Sequence, residues 1–370
     1  MYRRPISGQF TGVVAALLLG ACLASAQTNE QRLSEVAKDL FSPAASVDAD
    51  ITQLKAILAA DPQSAQAHML LGLAYRTKSS ADVMGEAVSE LRQAIDLDPS
   101  LVPARVYLAH LYLDLGRPER ARDELQTALT QLPGQPQLQA LLAECQRQLG
   151  KPDAALELSE QALKADPSMA EARYYQGLAL NDLKRRDDAI QAFEQVIKDG
   201  GRRPEVYGSL GTALLDAGRV DEAIVNLTEA VKLDPSRPEP MLPLARAYRL
   251  KGQLARADAA LKTVRSLVGT SALSGAQQQV QRDLSFEEGV LRLKQSRLEP
   301  AAEALRKAID LDPAYGPGYR YLAEVYLRQR LYSRAQDQAT RAEKLGSPLP
   351  QDLQKALRDR TPVGPPKEDE

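Results

Sequence analysis

Hydrophobic residues recur along most of this chain at three- and four-residue intervals, and the pattern is cleanest between Pro204 and Arg237. Val206, Leu210, Ala213, Leu214 and Ala217 fall on one face of a helix, and Ala223, Ile224, Leu227, Ala230 and Val231 on one face of a second. Gly218 interrupts the pattern between them. Pro235 ends the second half, because proline cannot continue a helix and biases its predecessor away from helical backbone. The stretch predicts two helices joined by a tight turn. Gly211, Ala223 and Ala230 are small where the helices must approach closely, and Tyr207, Leu214 and Leu227 fill the space beside them.

The unit is copied along the chain. Ala87, Ala121, Ala155, Ala189, Ala223 and Ala257 follow one another at steps of 34 residues, and Ala301 and Ala335 resume the step after one gap of 44. Seven residues after each stands Ala94, Ala128, Ala162, Val196, Ala230, Val264, Ala308 or Ala342. Closing prolines fall at Pro99, Pro133, Pro167, Pro235 and Pro313. A leucine followed by Gly or Ala, with an aromatic three positions on, recurs as Leu71-Gly72 with Tyr75, Leu108-Ala109 with Tyr112, Leu244-Ala245 with Tyr248 and Leu322-Ala323 with Tyr326. In period and motif, residues 65–349 resemble the tetratricopeptide repeat family. That resemblance implies an all-α fold, a right-handed superhelical solenoid of tandem helix-turn-helix hairpins. It says little about the partner, because one repeat fold hosts many unrelated functions.

The rest of the chain is organised around this array. Residues 27–64 read as a degenerate capping hairpin, with Asp50 where later repeats have their alanine. Eight repeats start near 65, 102, 136, 170, 204, 238, 282 and 316. The fourth departs most, with Gln176 for the usual leucine and Gly200-Gly201 for the closing Asp-Pro. Residues 266–281 insert ten extra positions, where Gly269-Thr270-Ser271 breaks one helix and Ser274 is placed to cap a long one running through Lys294. A short helix closes the array within 350–360. The proline-rich, charged residues 361–370 read as disordered.

The first 26 residues lie outside the repeat pattern. Arg3 and Arg4, the apolar run Val13 to Leu19 and the small residues Ala24-Ser25-Ala26 form an export signal with cleavage after Ala26. The run is too short to span a bilayer. The alternative is lipidation: Leu19-Gly20-Ala21-Cys22 resembles a bacterial lipobox, whose cysteine is acylated. Either reading places the protein in the periplasm or cell envelope, at a membrane only if Cys22 carries lipid. Cys145 is then the remaining cysteine and has no disulfide partner, so it reads as a buried, inert thiol.

Charge and chemistry narrow the function further. With 47 basic against 49 acidic residues the chain lacks the positive surface of a nucleic-acid binder. The basic clusters Arg117/Arg120/Arg122, Lys184-Arg185-Arg186 and Arg202-Arg203 fall in turns, where charge is solvated. Two histidines, no Cys-x-x-Cys and no Gly-x-x-x-x-Gly-Lys leave no metal, cofactor or phosphate motif. The aspartates of the recurrent Leu-Asp-Pro (Asp98, Asp234, Asp312) end helices beside a proline. No enzyme, no cofactor and no metal is the reading. In proteins similar to this one, the first helix of each hairpin lines the concave groove that binds a protein or peptide. Carried over, the groove positions are Tyr107, His110, Asp114, Arg147, Tyr174, Tyr175, Leu178, Asn181, Arg246, Arg249 and Tyr321. Tyr and Arg dominate many interfaces because each joins large area to a polar handle. The Lys/Asn/Arg clamp with which some family members hold a C-terminal carboxylate is missing. An interaction scaffold is the function this points to, with an assembly factor or chaperone for an envelope, pilus, secretion or polysaccharide-export machine as the lipid-anchored alternative. The oligomeric state is left open.

Overall fold

The computed structural model describes residues 27–42, 46–78, 83–268 and 275–364, and within them it contains nineteen helices and no strand. In chain order these are α1 (Gln27–Leu40), α2 (Val47–Ala60), α3 (Ala65–Lys78), α4 (Met84–Leu97), α5 (Val102–Asp114), α6 (Pro118–Gln131), α7 (Pro136–Gln148), α8 (Pro152–Ala165), α9 (Ala170–Asp182) and α10 (Arg186–Lys198). There follow α11 (Pro204–Asp216), α12 (Val220–Leu233), α13 (Met241–Leu250), α14 (Leu254–Val268), α15 (Gly275–Lys294), α16 (Leu298–Leu311), α17 (Gly316–Arg328), α18 (Tyr332–Lys344) and α19 (Gln351–Asp359). The chain divides into two compact units, one ending at Ala192 and one beginning at Phe193.

Odd-numbered helices are the first and even-numbered helices the second members of each pair. The turn inside a pair is built the same way almost every time. After α5 the amide of Arg117 donates to the carbonyl of Tyr112 at 2.7 Å, and after α11 that of Arg219 donates to Leu214 at 2.9 Å. This six-to-one bond requires one residue in left-handed backbone, most cheaply glycine. Gly116 and Gly218 supply it with φ of 65° and 80°, whereas Lys184, Ser296 and Arg330 adopt it without glycine. Between pairs, the aspartates that precede the closing prolines act as structural punctuation: the Asp98, Asp166 and Asp234 carboxylates accept the amides of Ser100, Ser168 and Ser236 at 3.0–3.1 Å. Where the fourth repeat lacks Asp-Pro, Gly200 takes φ of 93° and Gly201 donates to Val196 at 2.8 Å.

Packing follows the small residues. Ala87, Ala121, Ala155, Ala189, Ala223, Ala301 and Ala335 are fully buried, each on a second helix. Opposite, the first helix offers glycine: a Cβ on Gly72 would lie 2.7 Å from Leu91 Cγ, on Gly211 2.5 Å from Leu227 Cγ, and on Gly289 2.6 Å from Leu305 Cγ. In the first unit one hydrophobic cluster runs without interruption from Leu33 in α1 to Cys145 in α7. In the second, separate clusters join α13–α15 and α15–α19. The long helix after the inserted segment begins at Gly275 and runs through Lys294, and it packs on α14 and α16. Ser274 and residues 269–271 lie outside the described residues, as do residues 1–26 with Cys22.

Two ends of the chain differ from a plain repeat. At the C-terminus, Thr361–Gly364 lie against the last helices. Thr361 donates to Ala356 at 3.0 Å, Val363 packs on the last cluster, and the Gly364 carbonyl accepts from Arg328. At the N-terminus, Asp50 is only 3% exposed, one of its oxygens has no partner among the described residues, and Asp39 faces it. Burial, and then the charge of Asp39, push the Asp50 carboxyl up to about 6. An unfolded aspartate titrates near 3.9. Between those values the unfolded chain has lost the proton while the folded hairpin keeps it, so α1–α2 loses stability as pH rises from about 4 to about 6. Asp50→Ala restores the repeat's own residue and is expected to stabilise the hairpin at pH 7.5 by about 1–3 kcal/mol. Hydrogen exchange of α1 and α2 amides, corrected for intrinsic rates, checks this: protection in the parent should fall with pH and in the variant stay level.

Candidate partner-binding face

Within each unit, first helices touch the next first helices: α1 meets α3, α3 meets α5 and α7 meets α9, while α11 meets α13, α13 meets α15 and α15 meets α17. No comparable contact joins successive second helices among the described residues. The first-helix side is therefore continuous from α11 to α17 in the second unit and forms two runs, α1–α5 and α7–α9, in the first, stitched by arginine–carboxylate rungs at the helix ends. In the first unit Arg76 Nε meets Asp114 at 3.0 Å, and Arg147 Nη1 meets Asp182 at 3.2 Å while its Nε and Nη2 hold Glu144 at 2.8 and 2.9 Å. Carboxylates on both sides push the Arg147 guanidinium pKa above its ordinary value, against the opposing cost of burial. In the second unit Arg246 reaches Asp216 at 3.4 Å and Arg249 reaches Glu287 at 3.2 Å. The Arg328–Gly364 bond puts a backbone carbonyl on the last first helix's arginine.

In the first unit, α7 and α9 bring Arg147, Tyr174, Tyr175, Leu178 and Asn181 onto this side, all partly exposed. The Tyr174 and Tyr175 rings stand 5.8 Å apart at 50°. Tyr175 packs among Ala140, Ala143, Ala172 and Ala179, filling the space between α7 and α9, and the partly exposed Tyr174 stands beside it on α9. His110 and Asp114, on α5, are half-buried. In the second unit Arg246 is exposed, and Tyr321 packs edge-on to Phe286 at 5.4 Å under the Arg320 guanidinium at 4.3 Å.

Two of the groove positions are not surface. Tyr107 is 4% exposed, because α5 presses on α3 and sets the ring inside the first unit's cluster; its hydroxyl has no partner among the described residues, and burial raises its pKa. Arg249 is 8% exposed, because α15 packs on α13 and sets Glu287 against it, and burial holds the Glu287 carboxyl above its usual range despite the arginine. Sequence reasoning missed Arg76, Glu144, Asp182, Asp216, Glu287, Phe286 and Arg320. The signal existed for the aspartates: Asp114, Asp182 and Asp216 share one register, 68 and 34 residues apart, at the last position of a first helix.

Other chemistry-bearing groups have structural explanations. His68 lies between Glu90 at 2.6 Å and the Pro62 carbonyl at 3.2 Å. Cys145 is fully buried, and that burial pushes its thiol up to about 12, which removes the thiolate needed for reactivity. Among the described residues no three His, Cys, Asp or Glu side chains come together as a metal site, and no helix is long and apolar enough to cross a membrane.

Comparison with known proteins agrees with this architecture. Two tetratricopeptide repeat profiles match, one over residues 84–145 and 214–280, the other over 51–101 and 141–204. The chain belongs to the tetratricopeptide repeat family. No curated protein matches it. Among solved structures, a chain of the APC/C hetero-tetramer Cut9–Hcn1 is similar with a TM-score of 0.67 at 14% identity, over 90% of this chain and 63% of that one. This protein thus spans less than two thirds of that relative's length. Pseudomonas aeruginosa pilF matches with a TM-score of 0.48 at 21% identity, over 61% of this chain and 98% of that one. A repeat protein from Parabacteroides merdae matches with 0.44 at 17% identity, over 81% and 99%. At these identities the likeness concerns the fold alone. The fold is that of a protein–protein interaction scaffold, a class that is generally non-enzymatic.

Proposed function

We propose that this protein is an exported, non-catalytic scaffold that binds a peptide or protein partner on its first-helix faces. The observation that carries the reading is the direct packing of neighbouring first helices, α7 on α9 and α11 on α13, on which Tyr174, Leu178 and Arg246 present partly or fully exposed side chains. A partner laid across neighbouring hairpins finds aromatic area, aliphatic area and charge without disturbing the core. Export rests on the pattern of residues 1–26.

The test is truncation. Tyr174→Ala, Leu178→Ala and Arg246→Ala, made singly, are expected to leave folding stability within about 0.5 kcal/mol. At least one should weaken a partner found by cross-linking in the host by more than about 1 kcal/mol, or roughly fivefold. If all three bind that partner like the parent, the reading fails. The second reading, a lipid-anchored assembly factor, draws on Leu19-Gly20-Ala21-Cys22. It predicts fatty-acid labelling that Cys22→Ala abolishes; a mature N-terminus at Gln27 would contradict it.

A further inference from the structure

The last residue of each first helix falls in one register, and its charge changes along the chain. Asp114, Asp182 and Asp216 hold it on α5, α9 and α11, whereas Lys294 and Arg328 hold it on α15 and α17. Arg328 ends a helix, yet its side chain is 8% exposed. Glu324, one turn earlier, accepts from its Nε at 3.0 Å and its Nη2 at 2.6 Å, and Nη1 donates to the Gly364 carbonyl. The end of α19 brings Gly364 there. Arg360 turns the chain in left-handed backbone with φ of 52°, the Thr361 amide closes on Ala356, and Val363 rests on the cluster that joins α15 to α19. The chain thus crosses from α19 onto α17, and α15 is the next first helix in that direction.

We infer that residues 365–370 carry on across the ends of these helices and lay their carboxylates on Lys294, so that the chain itself occupies this end of the second unit's first-helix face. The sequence beyond Gly364 is Pro-Pro-Lys-Glu-Asp-Glu, three acids against one base. Polyproline backbone advances about 3.1 Å per residue, which sets Glu368 about 12 Å beyond Gly364. Packed helices stand about 8–10 Å apart, so the acids arrive where Lys294 ends α15. The aspartate that earlier repeats carry in this register would repel them, and lysine attracts them. Tethering supplies what exposed ion pairs lack, because a short linker holds the acids at a high effective concentration beside their site. Any partner on α15 and α17 then competes with this segment, but the inference holds or fails whether or not such a partner exists.

Zero-length carbodiimide coupling of the full-length protein, read by peptide mass spectrometry, tests this, since it joins a carboxylate to an amine only where the two meet. The expected product joins Lys294 to Glu368, Asp369 or Glu370 within one chain. Its yield should exceed by about threefold or more that at the exposed Lys344 and Lys355, which lie nearer in sequence. Raising NaCl to about 1 M, where the screening length is about 3 Å, should suppress it. A variant with Glu368→Gln, Asp369→Asn and Glu370→Gln keeps the contacts of Thr361, Val363 and Gly364, so its melting curve should match the parent's. In that variant acetylation of Lys294 should rise about twofold to fivefold, the scale of a screened ion pair. Equal coupling at Lys344 and Lys355, or none at Lys294, overturns the inference, as does Lys294 acetylation that the variant leaves unchanged. Coupling of Lys294 only within covalent dimers overturns the intramolecular occupant in favour of a second copy.

Discussion

Replacing Arg249 with Ala is expected to destabilise the second unit by about 3–5 kcal/mol, the cost of leaving a buried partner charge uncompensated. Glu287 is 8% exposed and accepts a hydrogen bond from Arg249 Nε at 3.2 Å. Burial already holds its carboxyl above the ordinary range, so loss of the arginine forces it to take up a proton or draw water into the α13–α15 contact. Removing both charges is a different experiment. Arg249→Met with Glu287→Leu should cost far less than Arg249→Ala, because an apolar pair of similar volume needs no desolvation. Urea unfolding followed by circular dichroism distinguishes the cases. A loss below about 1 kcal/mol for Arg249→Ala would mean that the pair is solvated.

The second large effect lies at the helix crossing of the cleanest repeat. Leu227 is fully buried, and Leu227→Ala should cost about 2–5 kcal/mol through lost burial and the cavity left behind. Gly211→Ala places a Cβ 2.5 Å from Leu227 Cγ, an approach that must be relieved by moving one helix, at about 1–3 kcal/mol. Combined, the two should cost less than their sum, since the truncated leucine vacates the space that the new methyl needs. Strict additivity would show that the two positions do not meet.

Much of this fold can be read from residue order because it repeats. Ala223 and its counterparts fall at a fixed step, and each repetition restates the same crossing, so a single ambiguous helix is disambiguated by its neighbours. The long helix through Lys294 is readable for a related reason: Gly269-Thr270-Ser271 interrupts the sequence pattern locally, and a local signal needs no knowledge of distant residues. Exposure on the first-helix side is harder. Tyr107 and Tyr175 occupy the same position of their repeats, 68 residues apart, yet one is buried and the other stands partly open. The difference comes from what the adjacent helix brings, and that is a contact between residues more than thirty positions apart. Arg249 repeats the lesson, because its partner Glu287 comes from the next first helix, 38 residues away. The Asp114, Asp182 and Asp216 register was present in the sequence but carries no hydrophobic signal, so hydrophobic periodicity passes over it.

The proposed function places a partner on the first-helix side. Site-specific photo-cross-linking in the native host tests it most directly. A photoreactive phenylalanine analogue would replace Tyr174 or Arg246 on first helices, and, for contrast, the exposed Glu157 or Val225 on second helices. The predicted result is a discrete cross-linked protein from Tyr174 or Arg246, lost when Leu178 or Asp182 beside the first of them is also substituted, and none from Glu157 or Val225. Cross-links arising from Glu157 or Val225 while both first-helix positions stay silent would contradict the claim.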